Sequence, residues 1–289
     1  MRILLIGRTG QLGGDLLRNN HEHEMIAPGR SSLDVVRVEQ VRDSIAGCRP
    51  DWVINCAAFH NVPLCEKEPE TAFRINCTAM RDLALACRDA DVRLLTFSSD
   101  YVFGSDRRRP HTEVDLPQPL QIYGISRLAG EHAVMSAAPE HAIVVRTCGL
   151  YGQSGARSKG GNFVDGRVAD ARAGKRIEMA CEQFVSPTST DDLSRALFKL
   201  ISNSNCGTGV YHLVNSGACS WYEFTREIVR VIGAASEVVP VDRGGRTLDM
   251  RRPLYSALAN ARAEKLGIAM RPWQEAVAAY LRSKYPEIA

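Results

Sequence analysis

Gly7-Arg8-Thr9-Gly10-Gln11-Leu12-Gly13 follows directly on the apolar run ILLI and opens an amphipathic stretch from Gln11 to Arg18. Glycines between a strand and a helix constrain a chain severely. They permit a tight turn, close approach of backbone to a pyrophosphate, and close packing of helix on strand. Free N–H groups at the helix start then attract phosphate charge. A GxxGxxG string alone is a weak signal, and a merely structural glycine turn is the competing reading. Its position at a first strand-to-helix turn makes Gly7 to Gly13 the expected cradle of a dinucleotide.

The following rhythm supports that position. After ILLI and the Gln11–Arg18 helix come a weaker EMIA run, a helix near Val38 to Ala46, the strand WVIN at Trp52 to Asn55 and a long helical pattern from about Ala72 to Arg88. The strands LLTFS and AIVV follow. Strands alternating with helices predict an α/β fold, a Rossmann-type doubly wound parallel sheet covered on both faces. Residues 1–150 are expected to form it, with 190–215 returning to it, while 151–289 make mainly a smaller C-terminal substrate lobe. That second region holds the loop QSGARSKGGN, a helix near Phe163 to Ala173, one opening at Thr190, the strand VYHLV, and a helix whose Ser220 and Glu223 have capping-box spacing. Pro272 announces a final helix.

Cofactor choice is read at the end of the second strand, where an acid would bond a ribose 2′-hydroxyl and an arginine would accept a 2′-phosphate. The segment is Ala27-Pro28-Gly29-Arg30-Ser31, with no acid, and Arg8 adds a second cation. Guanidinium forks suit phosphate, so NADP(H) is expected over NAD(H). The chain's 36 basic and 33 acidic side chains are too evenly balanced to suggest a nucleic-acid partner. The brief apolar start is neither a secretory leader nor a membrane span, so a cytoplasmic protein without a membrane partner is expected. Nine cysteines without a CxxC pair read as reduced thiols, and no metal-ligand spacing stands out.

Two further stretches carry chemistry: Ser98-Ser99-Asp100-Tyr101-Val102-Phe103-Gly104 after the LLTFS strand, and Tyr123-Gly124-Ile125-Ser126-Arg127. A tyrosine and a cation four apart share a helix face, and a hydroxyl from a strand end can join them. With GRTGQLG, NCAA at Asn55 to Ala58, EPETAFRIN, PLQIYG, Arg146-Thr147, EQFVSPT, VYHLVNSG and RRP at Arg251 to Pro253, the matches run from residue 3 to about 258. On these motifs the chain resembles the extended short-chain dehydrogenase/reductase superfamily and, within it, the dTDP-4-dehydrorhamnose reductase family.

The resemblance implies a catalytic trio on Ser99, Tyr123 and Arg127, the last standing where the family has lysine. It implies adenine contacts by Asp34 and Val35, ribose and nicotinamide contacts by Cys56, Ala57 and Ala58, and a structural asparagine at Asn76 beside the cofactor. Tyr123 and Arg127 would also touch the cofactor. Ser99, Asp100, Tyr101, Val102, Phe103 and Arg251 would line the substrate. Arginine keeps a cation's field but does not relay a proton. Gly149 stands where the family has tryptophan, Phe59-His60-Asn61-Val62-Pro63 replaces a His-Thr-x-Val-Asp pattern, and Glu182 and Val185 replace Asp and Gly. His60 reads as a hydrogen-bonded loop residue. The implied function is NADPH-dependent reduction of a nucleotide-linked 4-keto-6-deoxy sugar in polysaccharide biosynthesis, with a homodimer compatible. The alternatives are a non-catalytic NADP-binding regulatory subunit and a sugar-nucleotide epimerase or dehydratase.

Overall fold

In the computed structural model, residues 1–104, 107–155, 161–242, 244, 246–247 and 250–288 are described. Residues 156–160 of the QSGARSKGGN loop lie outside them. Six strands form one parallel sheet: β1 (Arg2–Ile6), β2 (Glu24–Ile26), β3 (Trp52–Asn55), β4 (Arg93–Ser99), β5 (Ala142–Thr147) and β6 (Gly209–His212). Their spatial order is β6-β5-β4-β3-β1-β2. The order reverses beside β1, which opens a crevice at the carboxyl ends of β1 and β3.

Side chains alternate between the two faces because successive strand residues point opposite ways. Ile3, Leu5, Ile54, Leu95 and Ile143 bury against α1 (Gln11–Arg18) on one face. Leu193, Leu197 and Leu200, from a helix at Thr190–Ser202, complete that layer. Leu4, Ile6, Val53, Leu94 and Val144 bury on the other, against α2 (Val38–Cys48) and the helices that follow it. Those are α3 (Val62–Lys67), α4 (Pro69–Phe73), α5 (Ala79–Asp89) and α6 (Ile122–Ala137).

The stretch from Ala72 to Arg88 is not one regular α-helix. A π turn at Arg74–Thr78 separates α4 from α5. Asn76 explains its use: its side chain bonds the Phe59 N–H and C=O, each at 2.9 Å, so the widened turn is tied to the loop after β3.

A separate apolar cluster joins α7 (Phe163–Arg172), α9 (Trp221–Val231) and α11 (Trp273–Lys284) through Val164, Phe224, Ile228, Trp273, Val277 and Leu281. Between them in the chain lie α8 (Thr190–Ser202) and α10 (Ala261–Lys265). The capping box at α9 is formed, with Ser220 Oγ accepting from Glu223 N and Glu223 Oε2 accepting from Ser220 N. Among the described residues no helix is long and apolar enough to cross a membrane.

Candidate active site

The glycine loop turns as its sequence requires. Gly7 has φ of +88°, and a Cβ there would stand 2.9 Å from Ala57 N, so the loop lies against the end of β3. A Cβ on Gly13 would stand 2.3 Å from Gly7 O, which fixes α1 against the turn. Gly10 caps α1 without a side-chain bond, and the first turn has no acidic residue. An anion is therefore welcome at this helix start. Gln11 Oε1 is buried there without a partner among the described residues. Gln11 Nε2 reaches Leu150 O at 3.4 Å, while Leu12 packs into the core. Arg8 and Thr9 are exposed at the mouth.

The two cation candidates converge on the end of β2. Arg8 Nη2 and Ser31 Oγ each lie 3.8 Å from the position of a Cβ on Gly29. Arg30, next in the chain, is 82% exposed and pairs with Asp34 at 3.2 Å. Such a surface pair contributes only about 0–1 kcal/mol, so it does not bar Arg30 from a phosphate. Asp34 also accepts from Val36 N at 3.3 Å, and Val35 turns its side chain into the core. Cys56 and Ala57 run beneath the loop, with Asn55 Oδ1 accepting from Ala57 N at 3.1 Å. Ala58 O is reached by His60 Nδ1 at 3.4 Å, so His60 is a hydrogen-bonded loop residue. The glycine cradle, and the exposed Arg8 and Ser31 side chains beside Gly29, together fit a phosphorylated dinucleotide.

Three elements assemble the chemical centre. Ser99 ends β4 and caps a 3₁₀ turn at Asp100–Val102, its Oγ accepting from Tyr101 N at 3.2 Å. Tyr123 sits in the first turn of α6, capped by Gln121, whose Oε1 accepts from Gly124 N at 2.7 Å. Gly124 lets that turn approach: a Cβ there would stand 2.1 Å from Tyr101 O. The Tyr101 and Tyr123 rings meet edge-on, with centroids 6.0 Å apart. Burial pushes the Tyr123 phenol up, while Arg127 and a hydrogen bond with Ser99 pull it down and Asp100 opposes them. The structure thus places Ser99 and Tyr123 as neighbours, with burial the largest influence on the phenol.

Arg127 corrects an expectation. Its Nη2 donates to Phe97 O and its Nη1 to Asn76 Oδ1 at 3.4 Å, with the residue only 5% exposed. Two of its three nitrogens are turned to the backbone of β4 and to the π turn. Its longer, planar fork reaches past the helix surface to acceptors for Nη1 and Nη2, while Nε is buried without a partner among the described residues.

The substrate expectations divide likewise. Val102 and Phe103 are 0% and 1% exposed, and Phe103 stacks on His111 at 4.1 Å. Their side chains are core, packed with Cys148, Val185, Val214 and Leu258 where the chain leaves the 3₁₀ turn. Asp100 is also buried, bonded to Ser99 and Ser256. Tyr101 stays partly open, and Arg252 Nη1 donates to its hydroxyl at 3.2 Å. Arg251, the expected clamp, lies exposed on the short ribbon pairing Arg246–Thr247 with Met250–Arg251. Of the basic pair Arg251-Arg252 read as a candidate diphosphate clamp, it is Arg252 that reaches Tyr101, whereas Ser256 was not singled out by its local pattern, since its partner lies 156 residues earlier. Among the described residues no group of three or more His, Cys, Asp or Glu could hold a metal ion.

The comparisons with known proteins agree with this architecture. The chain is 34% identical over 288 residues to the spore coat polysaccharide biosynthesis protein SpsK of Bacillus subtilis, covering 98% of each chain. It is 34% identical to a dTDP-4-dehydrorhamnose reductase of Streptomyces griseus, covering 96% of this chain and 91% of that one. The crystal structure of dTDP-4-dehydrorhamnose reductase from Bacillus anthracis in complex with NADP superposes with a TM-score of 0.91 at 32% identity, covering 98% and 99% of the two chains. Residues 1–285 match the family described as RmlD substrate binding domain, and the chain belongs to that family.

Proposed function

We propose that this chain is an NADPH-dependent reductase of a nucleotide-linked 4-keto-6-deoxy sugar. The observation that carries the reading is the meeting of Tyr123 and Ser99 at the carboxyl end of the sheet, in the fold that also forms the glycine cradle. Relatives named as dTDP-4-dehydrorhamnose reductases support the substrate class.

The backbone N–H groups from Gln11 to Gly13 would hold the pyrophosphate, and Arg8, Arg30 and Ser31 the 2′-phosphate. Asp34 and Val35 would border the adenine, and Cys56, Ala57, Ala58 and Asn76 the ribose and nicotinamide. NADPH, when bound, supplies a hydride. Tyr123 then delivers a proton to the oxygen of the reduced ketone, while Ser99 hydrogen-bonds that oxygen. Arg127 contributes positive potential to the phenol from its buried seat. Tyr101 and Arg252 flank the catalytic pair and would contact the substrate.

The test is loss of NADPH absorbance with purified protein and a panel of nucleotide-linked 4-keto-6-deoxy sugars, dTDP-4-dehydrorhamnose among them. Steady consumption with one of them supports the reading. NADPH binding without consumption on any of them overturns it and favours a regulatory subunit, a reading to which the inward-turned Arg127 lends support. A cytoplasmic homodimer accompanies the proposal, and light scattering on the purified chain reads its assembly.

A further inference from the structure

Ser99 has one hydroxyl proton, and Asp100 holds it. On one side Ser99 Oγ donates to Asp100 Oδ1 at 2.9 Å. On the other its lone pairs accept from Tyr101 N at 3.2 Å and meet the Tyr123 phenol. Asp100 is closed off from water, being 4% exposed, and Ser256 Oγ donates to its Oδ2 at 2.6 Å. The Cys148 thiol stands beside it as a third neighbour. Among the described residues these three neighbours are all uncharged donors.

We infer that Asp100 is a positioning residue that sets the direction of the Ser99 proton, and that its carboxyl must be neutral for Ser99 to donate to a ketone oxygen. A carboxylate only accepts hydrogen bonds. An ionised Asp100 therefore keeps the Ser99 proton, and Ser99 can only accept from Tyr123. Tyr123 then aims its own proton at Ser99 and away from the substrate. A neutral Asp100 brings a proton of its own, which from Oδ1 it gives to Ser99 while Oδ2 goes on accepting from Ser256. Ser99, accepting on the protein side, turns its hydroxyl proton into the cleft. Asp100 touches neither substrate nor cofactor; it acts through Ser99.

The surroundings favour the neutral form. Burial pushes the Asp100 carboxyl up, opposed by the hydrogen bonds from Ser256, Cys148 and Ser99. The titratable groups facing it are Tyr101 on the 3₁₀ turn, Tyr123 on α6 and Cys148 after β5. Burial holds all three protonated, with Tyr101 pushed up to about 12. The cations stand one residue further off, Arg252 against the Tyr101 hydroxyl and Arg127 against Phe97 O and Asn76.

The inference rests on the reductase reading above, and its test separates the two. Asp100→Asn keeps the shape and cannot ionise. Two quantities are measured against pH: kcat for NADPH-dependent reduction of dTDP-4-dehydrorhamnose, and the infrared band of a protonated carboxyl, assigned by its loss in Asp100→Asn. In the unaltered protein kcat should fall on the alkaline side while KM for NADPH holds, with the carboxyl band vanishing at the same midpoint. Asp100→Asn should retain turnover and lose that alkaline limb. Ser256→Ala, which removes one donor to the carboxylate, should move the limb to higher pH, an effect that a purely structural role would not produce. An unmoved limb in both variants, or no protonated band at neutral pH, overturns the inference. Absence of turnover in the unaltered protein counts against the reductase reading alone, and the infrared band still decides whether Asp100 carries its proton.

Discussion

The phosphate end of the cleft is made from one short stretch of chain, whereas the chemical end is assembled from three. Gly7 to Gly13 needs only its own backbone and the edge of β3 to take shape. Ser99, Tyr123 and Arg127 depend on a 3₁₀ turn, a capped helix and a π turn, held together by Gly124 against Tyr101 O and by Arg127 against Asn76 and Phe97. A locally encoded site tolerates change elsewhere in the chain. One assembled from distant contacts depends on each of them, and here Arg127 takes its acceptors from β4 and the π turn.

Substitutions should separate the two ends. Gly13→Val places a branched side chain where a Cβ alone would stand 2.3 Å from Gly7 O. NADPH affinity, measured by calorimetry, should fall by about a hundredfold or more, since overpacking such a site costs on the order of 1–3 kcal/mol and the displaced N–H groups lose the phosphate as well. The far lobe, read by the near-ultraviolet dichroism of its tryptophans, should keep its packing. A weakening that is equal in the lobe and at the cofactor would break the distinction.

Acid should act at the other end. His212 on β6 is buried, its Nδ1 within 3.1 Å of both His111 O and Ala259 O, and burial together with Arg146 pushes it down to about 3. Its value in the unfolded chain is near 6.5, so the unfolded state binds the extra proton. The contribution of this histidine is complete above about 6.5 and is lost as pH falls toward 3, by up to a few kcal/mol. Denaturant titrations between those limits should show the loss, and His212→Asn should reduce its slope. An unchanged slope would remove His212 from the account.

A smaller effect tests the two cations. Arg8→Ala combined with Arg30→Ala should cut the preference for NADPH over NADH by about ten- to a hundredfold, from about 1.5–3 kcal/mol in charge-assisted bonds. NADH binding should barely change, and equal losses for both cofactors would mean these arginines do not read the 2′-phosphate. Least of all, Ser220→Ala removes one half of the α9 capping box and should lower stability by about 1 kcal/mol without altering NADPH affinity.

The same division explains what could be read from residues alone. The short apolar runs of β1, β3, β4 and β5 and the glycine turn are local patterns, and each lies where its pattern indicated. The family resemblance named Ser99 and Tyr123 and gave Asn76 a structural role; the fold brings the first two together and ties Asn76 to Phe59. What the residues did not disclose was direction. Nothing in SSDYVFG says that a 3₁₀ turn will bury Asp100, Val102 and Phe103 and leave Tyr101 partly open. The Tyr123-to-Arg127 spacing gives a shared helix face, but the acceptors at Phe97 and Asn76 that claim the guanidinium lie on other elements. The partners of Tyr101 and Asp100 at Arg252 and Ser256 are equally remote along the chain.

The most direct test of the reductase reading compares Tyr123→Phe with the unaltered protein, measuring NADPH oxidation with dTDP-4-dehydrorhamnose and NADPH affinity by calorimetry. Removing one hydroxyl leaves the ring, its edge-on contact with Tyr101 and the start of α6 in place. The account predicts that kcat falls by about 10²–10⁴, the usual contribution of a positioned acid, while NADPH affinity is unchanged. Turnover that survives in Tyr123→Phe would contradict it, because the proton would then reach the substrate from another group.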